Sequence, residues 1–599
     1  MKYLTFLLIL TTATSSADVV LDGSLGQQAT LSGAQLAIKA EYGQQDGGNL
    51  FHSFHEFNIN VNQTAQFLAP ANVNNIIARV TGGQVSFIDG KLIAPSALYF
   101  FNPNGIVLGQ NSQLDINGSL HLATAQQLNF SDGQSFSATK PASRFSSAEP
   151  IAFGFLSDAP LQFDHAKINH ANDLSLTSHH LQWDNSQVHC EGALLVQSDQ
   201  GRVQLNDSQI QARGVFIQNG QFVNLNHSQI SSQHAPISVQ SKNVSLSQRS
   251  LLDSTVSQTD SQGGPIVVAA DNIHLDGHSS IQTGVLPGQT ADAGNIWIKA
   301  KTLSLTDYAS IISSHLGAGD GGLIQLDCQQ LRLENALISS AALGGGRAGN
   351  IEITAQQHSL VNSLISSLGL KGQGGDIMLR QHQNLTLLNS GIAAQLGLRA
   401  PISVTGGNIT IDSQHVQLKN SAISTESLGL GNAGNISVIS QKIQLQHDSA
   451  ITSQAQQAGG GELYLGVRDL LQLNHSHLIS RALGAQTQHQ GANITVNKPT
   501  FMVLETANIF AGAKAGQGGN IDLQASYLFQ SASSRIDASS LLGIAGQINI
   551  HAVYTDINAH LGNQPLSYLS IRPFSAQYCA NPQLGNRLVF RRYYHLPVY

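Results

Sequence analysis

The chain has 599 residues, with 29 Lys and Arg against 36 Asp and Glu, a formal charge of −7, and only 11% charged residues in all. So small a charge for this length, with no basic cluster before Arg591-Arg592, leaves no nucleic-acid footprint. Gly numbers 57, and Asn, Gln, Ser and Leu fill most of the rest, a composition of polar uncharged residues that suits stacked ladders in an elongated, repetitive protein rather than a compact enzyme.

The first residues, MKYLTFLLILTTATSSA, carry one positive charge at Lys2, an apolar run from Tyr3 to Leu10, and small residues at Ser15 and Ala17. This pattern reads as a secretory signal peptide over 1–17, with the mature chain starting at Asp18. The run is far shorter than the roughly 20 residues that span a bilayer, and no later stretch reaches that length, so no transmembrane segment is expected. The last hundred residues lack the alternating ten-residue strands of an outer-membrane barrel, which calls for a separate exporter.

Four motifs follow in order: NLFHSFHEFNI at Asn49 to Ile59, NIIARVTGG at Asn75 to Gly83, NPNGI at Asn102 to Ile106, and FGFL at Phe153 to Leu156. Within NPNGI, Pro103 fixes a turn dihedral, Asn104 tolerates a left-handed backbone and Gly105 supplies a positive φ without a Cβ clash. Alone, that string means only a tight turn. The four together resemble the secretion domain of the filamentous haemagglutinin family, the exoproteins of two-partner secretion systems.

The resemblance covers about Asp18 to Leu156 and implies a secretion domain over 18–156. It further implies export through the inner membrane by the Sec route, an unfolded passage through a Gram-negative periplasm, and a dedicated outer-membrane transporter with periplasmic polypeptide-transport-associated domains. On this reading Asn102, Pro103, Asn104, Gly105 and Ile106 form the transporter-recognition motif. Family members act as adhesins, haemagglutinins or haemolysins, and the longer ones as contact-dependent toxins. The sequence departs from the haemagglutinin prototype at LAPANVNN, Leu68 to Asn75, where a second Asn-Pro motif is expected. It departs from the toxins because no globular effector follows the repeats.

Behind the secretion domain a Gly-rich unit recurs, ending at Ile266, Ile296, Ile324, Ile351, Ile377, Ile409, Ile436, Leu463, Ile494, Ile521 and Ile548, with intervals near 27 residues. Within a unit the apolar residues alternate in three bursts, as in Ile296/Ile298, Leu303/Leu305 and Ile311. Period two with β-branched enrichment predicts three short strands per unit. The fold class is therefore all-β, a right-handed parallel β-helix over 157–553 capped by the secretion domain. Shorter spacings between Leu194, Val215 and Ile237 suit coils without an extra loop. At about 27 residues per coil and ~4.8 Å per coil, roughly 20 coils would make a rod on the order of 95 Å long.

The Gly-Asn corners predict that Asn295, Asn350, Asn408, Asn435, Asn493 and Asn520 align as a ladder of side-chain amides bonded to the coils above and below. The stretches His315 to Gly321 and Leu428 to Gly434 are expected as outward loops whose backbone is free of the ladder. From Tyr554 the repeat stops and Pro565, Pro573, Pro582 and Pro597 appear, so 554–599 should cap or leave the rod. Its YCANPQLGNRLVFRRYYHLPVY is similar to the Cys-bearing C-terminal motif of some haemagglutinin-family exoproteins.

Sites for chemistry are few. Asp253, Asp260, Asp271 and Asp276 share a neighbourhood but no common offset in adjacent coils, whereas a glycoside hydrolase needs converging carboxylates. His52 and His55, three apart, and the adjacent His179-His180 lack a third ligand. Cys190, Cys328 and Cys579 are too few and too far apart for a disulfide framework, and Cys328 falls at the repeat position of Ala300, Ala355, Ala525 and Ala552, which marks a small buried corner residue. GAGDGG at Gly317 to Gly322 precedes no helix and implies no phosphate site. No catalytic residue, metal or cofactor is expected. The reading is a secreted or cell-surface adhesin-like exoprotein for an unknown receptor or glycan; the alternative is a secreted carbohydrate-active β-helix enzyme.

Overall fold

The computed structural model describes residues 19–554, apart from 141–143, 233 and 257–261. The expected signal peptide, the C-terminal tail, Cys579 and Asp260 lie outside the described residues. The described chain is a right-handed parallel β-helix in which 43 strands share one sheet, beside a four-stranded and a three-stranded sheet at the N-terminal end, with a single 3-10 turn at Ala40–Tyr42 as its one helical element.

The inward column of the first face can be followed without a break. It starts at Leu50, Ile76, Leu98 and Leu120, continues through Leu174, Leu194, Val215 and Ile237, and ends at Ile521 and Ile548. The short-period stretch is thus the same helix, as its spacing suggested. The three predicted bursts are present, but the first two belong to one bent strand: Ile296–Thr306 turns the corner at Ala300, and Ser310–His315 follows as the third face. Each coil buries alternate Ile, Leu and Val residues, such as Ile296, Leu303 and Ile311, all fully enclosed. No single coil can do this alone, which is why the unit must repeat.

A second corner pattern sets the third face. A residue with positive φ, among them Asn185, Asp207, His227, Asn362, Asn389 and Asn420, is followed by a buried serine. The left-handed residue takes the next backbone N–H off the ladder, and the serine one coil onward accepts it: Ser186 N donates to Ser208 Oγ and Ser208 N to Ser228 Oγ at 3.0 Å, Ser363 N to Ser390 Oγ at 3.1 Å. The hydroxyl in turn donates to the carbonyl two residues back, as Ser363 Oγ does to Val361 O at 2.7 Å. Buried polar groups are thereby satisfied coil by coil.

The Gly-Asn corners differ from expectation. Asn295 Oδ1 accepts from Leu323 N at 2.8 Å, Asn435 Oδ1 from Glu462 N and Asn520 Oδ1 from Gln547 N at 2.9 Å. The side-chain carbonyl thus serves the next coil's orphaned backbone N–H, so this column is not an amide-to-amide ladder.

The Gly-rich loops also differ, because they stack. Leu316 N donates to Val285 O, Leu343 N to His315 O and Leu428 N to Leu396 O. A Cβ at Gly344 would fall 1.3 Å from Gly317 O, so glycine is there because neighbouring loops touch backbone to backbone. Their backbone is committed to the ladder after all, and their sequence is not free.

The N-terminal coils carry additions. Val19–Leu21 lies antiparallel to Asn49–Phe57. Between the rungs of Leu120 and Leu174, the chain leaves the helix for a three-stranded antiparallel sheet of Ala125–Phe130, Ser135–Ser137 and Pro150–Leu156.

Candidate functional site

Three of the four N-terminal motifs, and the residue just before the fourth, meet in one place. Phe51 of the first, Ile77 of the second and Phe101, just before NPNGI, share a small hydrophobic core with Phe130 and Phe136 of the antiparallel sheet, and Phe153 and Leu156 of FGFL pack against it. The Phe51 and Phe136 rings lie 5.0 Å apart edge to face, and Phe153 sits 5.8 Å from Phe101. Alternation along each strand sends the neighbouring residues, Leu50, Phe54 and Phe100, into the main solenoid core instead. The motifs therefore hold the sheet onto the side of the rod.

NPNGI closes the turn between Ala97–Phe101 and Ile106–Leu108. Asn102 is fully buried; its Nδ2 donates to Gln84 O at 2.9 Å and to Ser86 Oγ at 3.0 Å, and its Oδ1 accepts from Asn104 N at 2.9 Å. Asn104 is not left-handed as expected. Its side chain instead reaches one coil back, Nδ2 donating to Gly82 O at 2.5 Å. Gly105 does adopt a positive φ, +118°, with Pro160 O 3.2 Å from where a Cβ would stand. Pro103 is partly exposed and Ile106 is buried in the core. The coil-to-coil stack continues backward, since Gly82 N donates to His55 O at 3.1 Å.

Beneath these turns lies a buried charge that sequence reasoning missed. Arg79, inside NIIARVTGG, is fully enclosed. Its Nε donates to Ser53 Oγ at 2.8 Å, Nη2 to Ser24 Oγ at 3.0 Å, and Nη1 to the carbonyl of Ser137 in the antiparallel sheet, while its guanidinium lies 4.1 Å over the Phe136 ring. Asp22 is the counter-charge: Oδ2 accepts from Ser53 Oγ at 2.6 Å and Thr81 Oγ1 at 2.8 Å, and Oδ1 from Ser24 N at 2.8 Å. Burial works to raise the Asp22 carboxyl, but the hydrogen bonds from Ser53, Ser24 and Thr81 hold it below its usual range. Burial pulls the Arg79 guanidinium down to about 10, opposed by the Asp22 charge. The signal was available, since one arginine interrupts an otherwise apolar strand.

The remaining candidates do not converge. His52 is buried in the solenoid core, its ring 5.4 Å from Phe67, whereas His55 is exposed, so the pair cannot share a ligand. His179 approaches Asp158 at 3.1 Å on the surface. Asp253 accepts from Thr255 Oγ1 on the third face, Asp271 pairs with Lys301 at 2.9 Å at the bend, and Asp276 pairs with His274 at 3.1 Å. Cys328 is buried between Ala300 and Ala355 as its repeat position implied, and burial raises its thiol to about 12. Cys190 is also buried, its thiol raised by the same cause to about 11. No helix among the described residues is long and apolar enough to cross a membrane.

Comparison with known proteins fits this geometry. A stretch of 65 residues is 37% identical to the heme/hemopexin-binding protein of Haemophilus influenzae, covering 11% of this chain and 7% of that protein. The family model for the TPS secretion domain matches residues 17–336, through the antiparallel sheet and well into the solenoid. With more than half of its length matched, the chain belongs to the TPS secretion-domain family, the exoproteins of two-partner secretion.

Proposed function

We propose that this chain is an adhesin-like exoprotein, released or held at the bacterial surface, which reaches it through a dedicated outer-membrane transporter with periplasmic transport-associated domains. The secretion domain, 18–156, with Asn102 to Ile106 as the recognised turn, directs export; the solenoid, 157–553, presents the binding surface. The enzyme alternative has less support, because Asp253, Asp271 and Asp276 each face a different partner. Nothing about heme or hemopexin is carried over from an alignment that spans 7% of the relative.

The observation that carries the adhesin reading is the one coil of 32 residues, between Ile377 and Ile409. Its loop adds length that stacking does not need, and it projects Leu398 and Ile402, each 68% exposed, beside Leu430 of the next loop at 50%. An aliphatic tip exposed in water favours contact with another surface. Replacing Leu398 and Ile402 together with serine should leave secretion intact and weaken attachment of expressing cells to a surface or to one another. Unchanged attachment, or a sugar-polymer cleavage activity in the secreted protein, would sink the reading.

A further inference from the structure

One groove on the third-face corner has the chemistry of a saccharide subsite. The left-handed corner column runs His278, Tyr308, Asn335, Asn362, Asn389 and Asn420, one residue per coil, all at positive φ. The asparagines form a chain of amides: Asn362 Nδ2 donates to Asn335 Oδ1 at 3.2 Å, Asn389 to Asn362 at 3.1 Å and Asn420 to Asn389 at 2.9 Å. Every donor points toward the N-terminal end of the rod. Asn335 accepts within the column, and its own NH2 is not taken up by the preceding coil, where the column holds Tyr308 instead of another asparagine. A chain of aligned amides strengthens its terminal donor.

Tyr308 is 63% exposed and stacks on His278 with centroids 5.1 Å apart and planes 10° from parallel. The opposite wall of the groove is aliphatic. Leu337 stands in register with Leu364, and Leu364 with Gly391, where the wall stops for want of a side chain. The open depression so bounded is about 560 Å³, lined also by Ala336 and Ser363, with no charged side chain in its lining. Rungs along it repeat at about 4.8 Å, close to the length of one sugar residue in an extended polysaccharide.

We propose that this groove binds a neutral glycan. A pyranose ring has an apolar C–H face and a polar edge, and the groove offers Tyr308, Leu337 and Leu364 to the first and the Asn335 amide and Ser310 hydroxyl to the second. A sialylated or sulfated chain would find no cation in the lining. The inference rests on the surface-binding reading above and supplies its ligand class at a site separate from the 398–402 tip.

The test uses the full-length secreted protein, with cellohexaose, lactose-terminated neutral oligosaccharides and their sialylated counterparts as probes in a titration. Tyr308→Asn removes the ring while keeping a residue that accepts the left-handed backbone. Asn335→Asp removes the NH2 donors while keeping the Oδ1 that Asn362 needs. Each should weaken neutral-glycan binding about tenfold with secretion and melting unchanged. Failure of the wild type to bind any neutral probe, wild-type affinity in both variants, or preference for the sialylated probes would overturn the assignment. Wild-type cells that attach while their protein binds no neutral glycan would refute this site and leave the adhesin reading standing; wild-type cells that do not attach and whose protein binds no glycan would refute the two together.

Discussion

Arg79 of the NIIARVTGG stretch donates to Ser53 of NLFHSFHEFNI across two adjacent coils at 2.8 Å. With Asp22, Ser24, Thr81 and the Ser137 carbonyl they form one polar network, buried at Arg79, Ser53 and Ser137 and open to solvent at Ser24, that ties the first strand, two coils and the antiparallel sheet together.

Removing Arg79 leaves the Ser137 carbonyl and the Ser53 hydroxyl without this donor beside a half-buried Asp22, a loss of roughly 1–3 kcal/mol. Arg79→Ala should therefore loosen the antiparallel sheet selectively. Arg79→Lys should rescue little, because an ammonium cannot span Ser53, Ser24 and Ser137 in one plane. Limited proteolysis checks this: new cleavage between Phe130 and Pro150 with the coils after Leu174 still protected is the expected pattern, and wild-type resistance would remove Arg79 from its role.

A histidine stands where an aliphatic residue belongs. His358 lies in register with Leu331 and Leu385 on the inward column, and burial drives its pKa from 6.5 to about 3. His52, wholly within the core, and His121, stacked on Tyr99, are pulled to about 4 mainly by the same cause. A folded pKa below the unfolded value means that the unfolded chain takes up the proton first. Stability is thus full above pH 6.5 and falls as the pH drops toward 4 and then 3. At pH 5 His358 alone should cost about 2 kcal/mol of local stability. Melting curves at pH 7 and pH 5 should show a fall that His358→Leu reduces; an identical fall in the variant would place the acid sensitivity elsewhere.

Ile436 is paired between Ile409 and Leu463 and is 1% exposed. Ile436→Asp would bury an unpaired carboxylate and should open the neighbouring coils while distant ones hold, since each coil touches only its neighbours. Hydrogen exchange should rise over 409–467 and stay low near Leu194 and Val215. Uniform loss of protection along the chain would contradict the nearest-neighbour picture.

Much of this fold was legible because parallel stacking imposes a repeat that composition cannot hide: Ile296, Ile324 and Ile351 share a register that their spacing announced. The corners are less legible. The Gly-Asn string suggests an amide ladder where Asn295 serves a backbone N–H, while the true amide chain, Asn335 to Asn420, is marked in the sequence only by a two-residue Asn-Ala or Asn-Ser string. The loops misled for a physical reason. Glycine usually marks freedom, but Gly317 and Gly344 mark contact too close for a Cβ. At the N-terminus the motifs were visible and their meeting was not, because nothing in the string links Phe51 to Phe136 or Arg79 to Ser137.

The central claim is that the N-terminal block, and not the solenoid, governs export, with the NPNGI turn as its key. Secreted protein from cells carrying the cognate transporter should be quantified for Asn102→Ala, which strips Gln84 and Ser86 of their donor, for Asn104→Ala, which strips Gly82, and for Ile436→Asp as the solenoid control. The account predicts that both asparagine variants fall to a small fraction of wild type while Ile436→Asp is still secreted. Full secretion of the two asparagine variants, or loss of export only in Ile436→Asp, would contradict it.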